Sequence, residues 1–172
     1  MSKDAKVKVL NFEYKSKIHL EDRTPEAGMP EELLEDIANK PTMVMDDIDF
    51  KIHLSVDNKL VELNHTIKKG FCYNRADIPS LLQFVTFDKH SPYVKDASLI
   101  HDYLLDERVN LYNEWHFDTL GIHRNQFRKI TSEVFKLALI QNAVNPIKAA
   151  IMAAAVDVFQ ASPIGGWKVI EK

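Results

Sequence analysis

In IDFKIHLS, residues 48 to 55, Ile48, Phe50, Ile52 and Leu54 alternate with Asp49, Lys51, His53 and Ser55. This is the period-2 pattern of a strand with one wet face. VDNK then supplies turn residues, and Val61, Leu63 and Ile67 continue the alternation in LVELNHTI, so the two runs predict an antiparallel hairpin. A further strand is predicted over Lys6–Tyr14. Between them, MPEELLEDIANKP has Pro30 in its first turn, acidic residues after it and Pro41 at its end. It predicts a short amphipathic helix over Pro30–Asn39 that packs through Leu33, Leu34 and Ile37. The polar stretch from Glu21 to Gly28 reads as a loop.

From Tyr93 onward the period becomes that of a helix. Ala97, Ile100, His101, Leu104 and Arg108 fall on one stripe, which places His101 in the core and Asp102 at the margin. A second helix is predicted from about Asn125 to Asn142, with Phe127, Ile130, Val134, Leu137 and Ala138 as its inner face. Asn145 and Pro146 cap a third, alanine-rich helix, and Gly165 and Gly166 end the helical region. The order predicts an α+β fold: a small antiparallel sheet in the N-terminal half packed on a C-terminal cluster of about three helices. Residues 1–45 read as an N-terminal addition, and residues 46–172 as the main domain of one folded unit.

Composition narrows the partners more than the chemistry. The 172 residues carry 22 basic and 25 acidic side chains, a net charge of −3, with no single-sign block to suggest a nucleic-acid tail or an anionic-membrane anchor. No nucleic-acid partner is expected. The start, MSKDAKVKVLNFEY, has no apolar signal-peptide stretch and no later run reaches the length of a membrane span, so the product is expected in the cytoplasm when made. Cys72, the one cysteine, excludes an internal disulfide and a zinc cluster of the CxxC kind, and reads as a small apolar filler. Tyr112, Trp115 and Phe117 in LYNEWHF read either as a satellite core or as an exposed aromatic patch. The histidines other than His101 fall at no ligand spacing.

GFCYNRADIPS, residues 70 to 80, joins the two halves: Gly70 closes the hairpin, Pro79 blocks a simple continuation, and Asn74, Arg75 and Asp77 lie between apolar Phe71 and Ile78. Over residues 46 to 160 the chain resembles the phage-associated domain of unknown function 1353. Gly70, Phe71, Ile78 and Pro79 match its loop, His101, Asp102 and Leu104 its central helix, Arg128, Phe135, Ala138 and Leu139 the next helix, and AVDVFQ the last. Four polar positions depart from the pattern. Asn74 and Ser132 stand where the family usually has an aspartate, Asp77 where it has a serine, and Leu105 where it has a tyrosine. The resemblance implies a bacteriophage or prophage protein, made in the host cytoplasm and carried into the virion. Its partners would be other phage structural proteins or further copies of itself.

Two functions of different class fit these residues. In the first, the protein is an accessory or virion-associated module of tail or particle assembly. Here His101 and Asp102, with Asn74, Asp77 and Arg128 around them, form a polar network kept for shape: His101 donates to a loop carbonyl, and Asp102 pairs with Arg75, Arg108 or Arg128. In the second, it is a metal-dependent hydrolase of an ester or amide in lipid or cell wall. His101 is then base or ligand, and Asp77, His101 and Asp102 hold a divalent cation. A helix-borne His-Asp pair is similar to that of phospholipases A2, although the glycine-rich calcium loop and the cysteines of the secreted enzymes are missing.

Overall fold

The computed structural model describes residues 5–74, 92–115 and 120–162. Strand β1 (Val7–Tyr14) is followed by β2 (Leu20–Asp22), helix α1 (Glu31–Asn39), β3 (Thr42–Val44), β4 (Ile48–Val56), β5 (Lys59–Ile67) and β6 (Cys72–Tyr73). Then come α2 (Pro92–Leu105), the single turn α3 (Leu111–Asn113), α4 (Arg124–Gln141) and α5 (Pro146–Ala161). The fold is α+β, and its strands form two antiparallel three-stranded sheets, β1-β4-β5 and β2-β3-β6.

The predicted hairpin is β4–β5, in register from Ile48 against Ile67 to Val56 against Lys59. Its two-residue turn puts Asp57 at φ 50° and Asn58 at φ 65°, the doubly positive geometry whose twist suits a tight hairpin and which Asp and Asn tolerate. The turn also holds β1: Lys6 N–H donates to Asp57 Oδ1 at 2.8 Å, and Asp57 N–H to Lys6 O at 2.9 Å. The alternating residues Ile48, Phe50, Ile52 and Leu54 are all buried, as their period requires. At Leu10 the β1–β4 register slips by one residue, a bulge that leaves Leu10 half exposed.

Helix α2 lies at the centre. The residues of its predicted stripe that it contains, Ala97, Ile100, His101 and Leu104, are buried, but so are Ser98 and Leu99. Five successive buried residues, 97–101, span more than a full turn at about 100° each, so this stretch of the helix is enclosed all round. Phe135 of α4 packs on one side and the two sheets on the other. Helix α4 begins and ends within a residue of expectation. Its inner residues Phe127, Ile130, Val134 and Ala138 are buried, while Leu137 is only partly so. Asn145 caps α5 as predicted, its side chain accepting from Ile147 N–H at 2.9 Å, with Pro146 in the first turn. Among the described residues no helix is long and apolar enough to cross a membrane.

Several expectations need correcting. Helix α1 buries only Ile37; Leu33 and Leu34 are exposed, because among the described residues no element lies over the other part of its apolar face. Glu21 and Asp22 belong to β2, paired with Met43 and Thr42, instead of to a loop. Cys72 is only half buried, in β6. Helix α2 ends at Leu105, so Arg108 leaves the stripe and is held by Asp106 in the following turn. Tyr112 and Trp115 are buried against Phe127 at 5.6 and 5.0 Å, which makes them core; Phe117, Gly165 and Gly166 lie outside the described residues.

Phe12 of β1 is fully buried, so Phe12→Ala is expected to cost about 3–5 kcal/mol in denaturant unfolding. Leu33→Ser on α1 is expected to stay within about 0.5 kcal/mol of the parent. Equal costs for the two would refute this placement of the N-terminal elements.

Candidate functional site

His101 sits on the last turns of α2, where the helical stripe turns it towards α4. It is 2% exposed, with its ring centroid 5.5 Å from that of Phe135. Nδ1 lies 3.2 Å from Oδ1 of Asp102, whose side chain is partly exposed. When Asp102 carries its charge it can only accept, so Nδ1 holds a proton and, in the neutral ring, Nε2 is left as a bare acceptor. Nε2 is buried and has no hydrogen-bond partner among the described residues. A buried acceptor without a donor costs about 1–3 kcal/mol. That is a reason to ask what the nitrogen is for.

Asn74 is exposed just after β6 and hydrogen-bonds to neither His101 nor Asp102. Asp77 and Arg75 lie outside the described residues. Among the described residues no group of three His, Cys, Asp or Glu side chains could hold a metal ion. His101 and Asp102 alone do not fit a divalent cation, since Oδ1 is turned onto the imidazole. The partners expected for Asp102 are engaged elsewhere: Arg108 with Asp106, and Arg128 with Asp157.

Arg128, which the sequence reading placed in the network around His101 and Asp102, instead forms a second polar node with Asp157, the partner that reading missed. One guanidinium nitrogen donates to the backbone O of Asp157 at 2.7 Å and also pairs with the Asp157 carboxylate. Ser132 Oγ, one turn along α4, lies 3.2 Å from Asp157 Oδ1 and 3.1 Å from Arg128 O. The position where the resembled pattern carries an aspartate is therefore a serine, and a carboxylate reaches the same arginine from α5. A signal existed: Lys148 and Asp157 are the charged residues of the otherwise apolar and alanine-rich α5. Its pairing cannot be read from one-dimensional spacing.

His65 of β5 is a second, partly buried histidine. It stacks on Phe50 at 5.7 Å and lies 6.0 Å from Trp115, with Glu114 at 4.0 Å. Burial lowers its pKa, and the nearby Glu114 carboxylate offsets only part of that.

Two outcomes follow. Because the folded pKa of His65 lies below the unfolded one, the unfolded chain takes up the proton first as pH falls. The stability due to neutral His65 is complete above about pH 6.5 and is lost as pH falls towards the folded value. In melting curves from about pH 7.5 to about pH 5.5, His65→Phe should flatten the decline in Tm; an unchanged slope would contradict the assignment. At the second node, Ser132→Asp and Asp157→Ser should each cost about 1–2 kcal/mol, the first by like-charge repulsion and the second by leaving Arg128 unpaired. The double variant should recover most of that loss; strict additivity would show that the groups are not coupled.

The family model described as Protein of unknown function (DUF1353) matches residues 51–156, from β4 into α5. No curated protein and no solved structure matches the chain. The match spans more than half of the chain and takes in β5, α2 and α4, the elements that carry His65, the His101–Asp102 pair and Arg128, and on it the protein belongs to the DUF1353 family.

Proposed function

We propose that the protein is a phage- or prophage-encoded accessory or virion-associated protein, in which this domain serves as a rigid interaction module and His101–Asp102 is a structural pair. The observation that carries the structural part is the enclosure of His101: at 2% exposure, with Phe135 against its ring, it packs as a core side chain. Arg128 is likewise committed to Asp157 and not free for a substrate. The phage context rests on the resemblance of the Gly70–Pro79 loop and of the His101 and Arg128 helices. Assembly with other phage structural proteins, or with further copies of the chain, is part of the same reading.

The unpaired Nε2 favours a second reading, a hydrolase of an ester or amide in lipid or cell wall. There Nε2 would take a proton from water as the water oxygen adds to the carbonyl, and would return it to the leaving alcohol oxygen or amine nitrogen as the C–O or C–N bond breaks, with Asp102 steadying the imidazolium in between. Asp77 and Asp102 would be the carboxylates available to a divalent cation.

Truncating His101 separates the two. His101→Ala removes core contacts and is expected to cost about 2–4 kcal/mol, with His101→Asn milder because it keeps a donor at smaller volume. Calcium, magnesium and zinc are expected to leave Tm unchanged. An alanine variant that melts like the parent while a hydrolytic or metal-binding activity disappears would overturn the structural reading. For the phage reading, proteomics of purified particles from a producing strain is expected to find the chain at fixed stoichiometry; its consistent absence would contradict virion association.

A further inference from the structure

Helix α5 packs on α4 and buries Ala149, Met152, Ala153 and Val156. Its opposite face is apolar as well. At about 100° per residue, Ile147, Ala150, Ile151, Ala154, Val158 and Ala161 fall within an arc of about 100°, and all six are exposed. Ile147 is 71% exposed and Val158 69%, so two β-branched side chains stand almost bare. Lys148, to one side of this arc, is the one charged residue among those that α5 exposes. A helix apolar all round is ordinarily buried, and a continuous face of this kind differs from singly scattered surface hydrophobes.

The spacing indicates what kind of surface would cover it. Ile147, Ile151, Ala154 and Val158 advance by four, three and four residues, the interval at which one helix presents a seam to another that crosses it at about 20°. A helix lying on a lipid surface would be flanked by lysines and arginines, and of these α5 carries only Lys148. A second copy of α5, running antiparallel, matches the seam. With the two-fold axis at the level of Met152 and Ala153, Ile147 of one copy meets Val158 of the other, and Ile151 meets Ala154, so each seam residue faces an apolar one. The ends match in charge. Lys148 sits in the first turn of its own helix, where a cation opposes the dipole; the antiparallel arrangement brings it towards the last turn of the other helix, the negative end.

We propose that the exposed face of α5 is a self-association surface, on which two copies of the chain pair through antiparallel α5 helices. This gives a place to the self-association included in the proposed function and rests on that part of the reading alone; neither the phage context nor the role of His101 enters it. A two-fold contact uses the same patch on both copies, so association closes at a dimer. Ala150 and Ala154 add little bulk, which lets the two helices approach closely. A contact confined to about four helical turns is at the small end of specific interfaces, so the dimer is expected to have a Kd on the order of 10–100 µM.

Sedimentation equilibrium of the full chain from about 5 µM to about 500 µM is expected to show monomer and dimer in exchange. Ile147→Glu and Val158→Lys should each raise Kd by about tenfold or more, while keeping the parent's Tm, because both positions are exposed and each new charge suits its own end of the helix. The double variant Ile147→Glu/Val158→Lys should dimerise again at low salt. Antiparallel pairing sets each introduced carboxylate against an introduced ammonium of the other copy, whereas a parallel pair would set like charges together. A parent chain still monomeric at about 500 µM would overturn the proposal, and flotation of that monomer with anionic vesicles would assign the face to a membrane surface instead. A dimer untouched by either single variant, or a double variant no better than the singles, would overturn it too. A monomeric chain that is nonetheless found at fixed stoichiometry in particles would overturn this proposal and leave the virion reading standing.

Discussion

Three phenolic hydroxyls tie helix α2 to both sheets. Tyr14 of β1 donates to Asp96 O at 2.6 Å, Tyr73 of β6 donates to Lys95 O at 3.1 Å, and Tyr103 of α2 donates to Thr66 O of β5 at 3.2 Å. Each bond joins a side chain from one element to the backbone of another, so it fixes position along the helix as well as distance. Apolar burial alone would let α2 slide or rotate, because it is non-directional. With α2 fixed, its inner face receives α4 through Phe135, and α4 in turn sets α5 through the Arg128–Asp157 pair. Burial pushes the Tyr14 phenol well above its ordinary pKa, with Asp96 and Tyr73 adding to the effect, so the donor keeps its proton wherever the fold persists.

The polar groups inside this frame are sorted by what they hold. Arg128, Ser132 and Asp157 are mutually satisfied and join two helices. Ser98 Oγ and Thr131 Oγ1 donate to carbonyls within their own helices, Val94 O and Arg128 O, and need nothing more. His101 differs, since one nitrogen is anchored and the other is not. In an enclosed position that imbalance marks the place where a change in surroundings would have the largest effect on the core.

Much of the architecture was legible in the sequence where a pattern ran long enough to repeat. The β4–β5 hairpin has nine residues in each strand and a turn whose Asp57 and Asn58 accept positive φ; α4 and α5 run for several turns. β3 and β6, of three and two residues, are too short for any period to show, and they form because flanking elements bring them together. The exposure of Leu33 and Leu34 shows the limit of amphipathicity: it tells which face is apolar and not whether anything covers it. At the site, the burial of His101 followed from its stripe. Its pairing with Asp102 did not, because neighbours in sequence project about 100° apart on a helix and are not expected to meet. The Ser132–Asp157 contact spans 25 residues and two helices, so it could only appear once the helices were packed.

Native-state hydrogen exchange on the amides of Leu99 to Leu104 tests the central place of α2 most directly. If this helix is the element on which both sheets and α4 depend, these amides exchange only through global unfolding, with an opening free energy equal to that from denaturant titration. Exchange of this segment through a smaller, local opening while α4 and the β4–β5 hairpin stay protected would contradict the account.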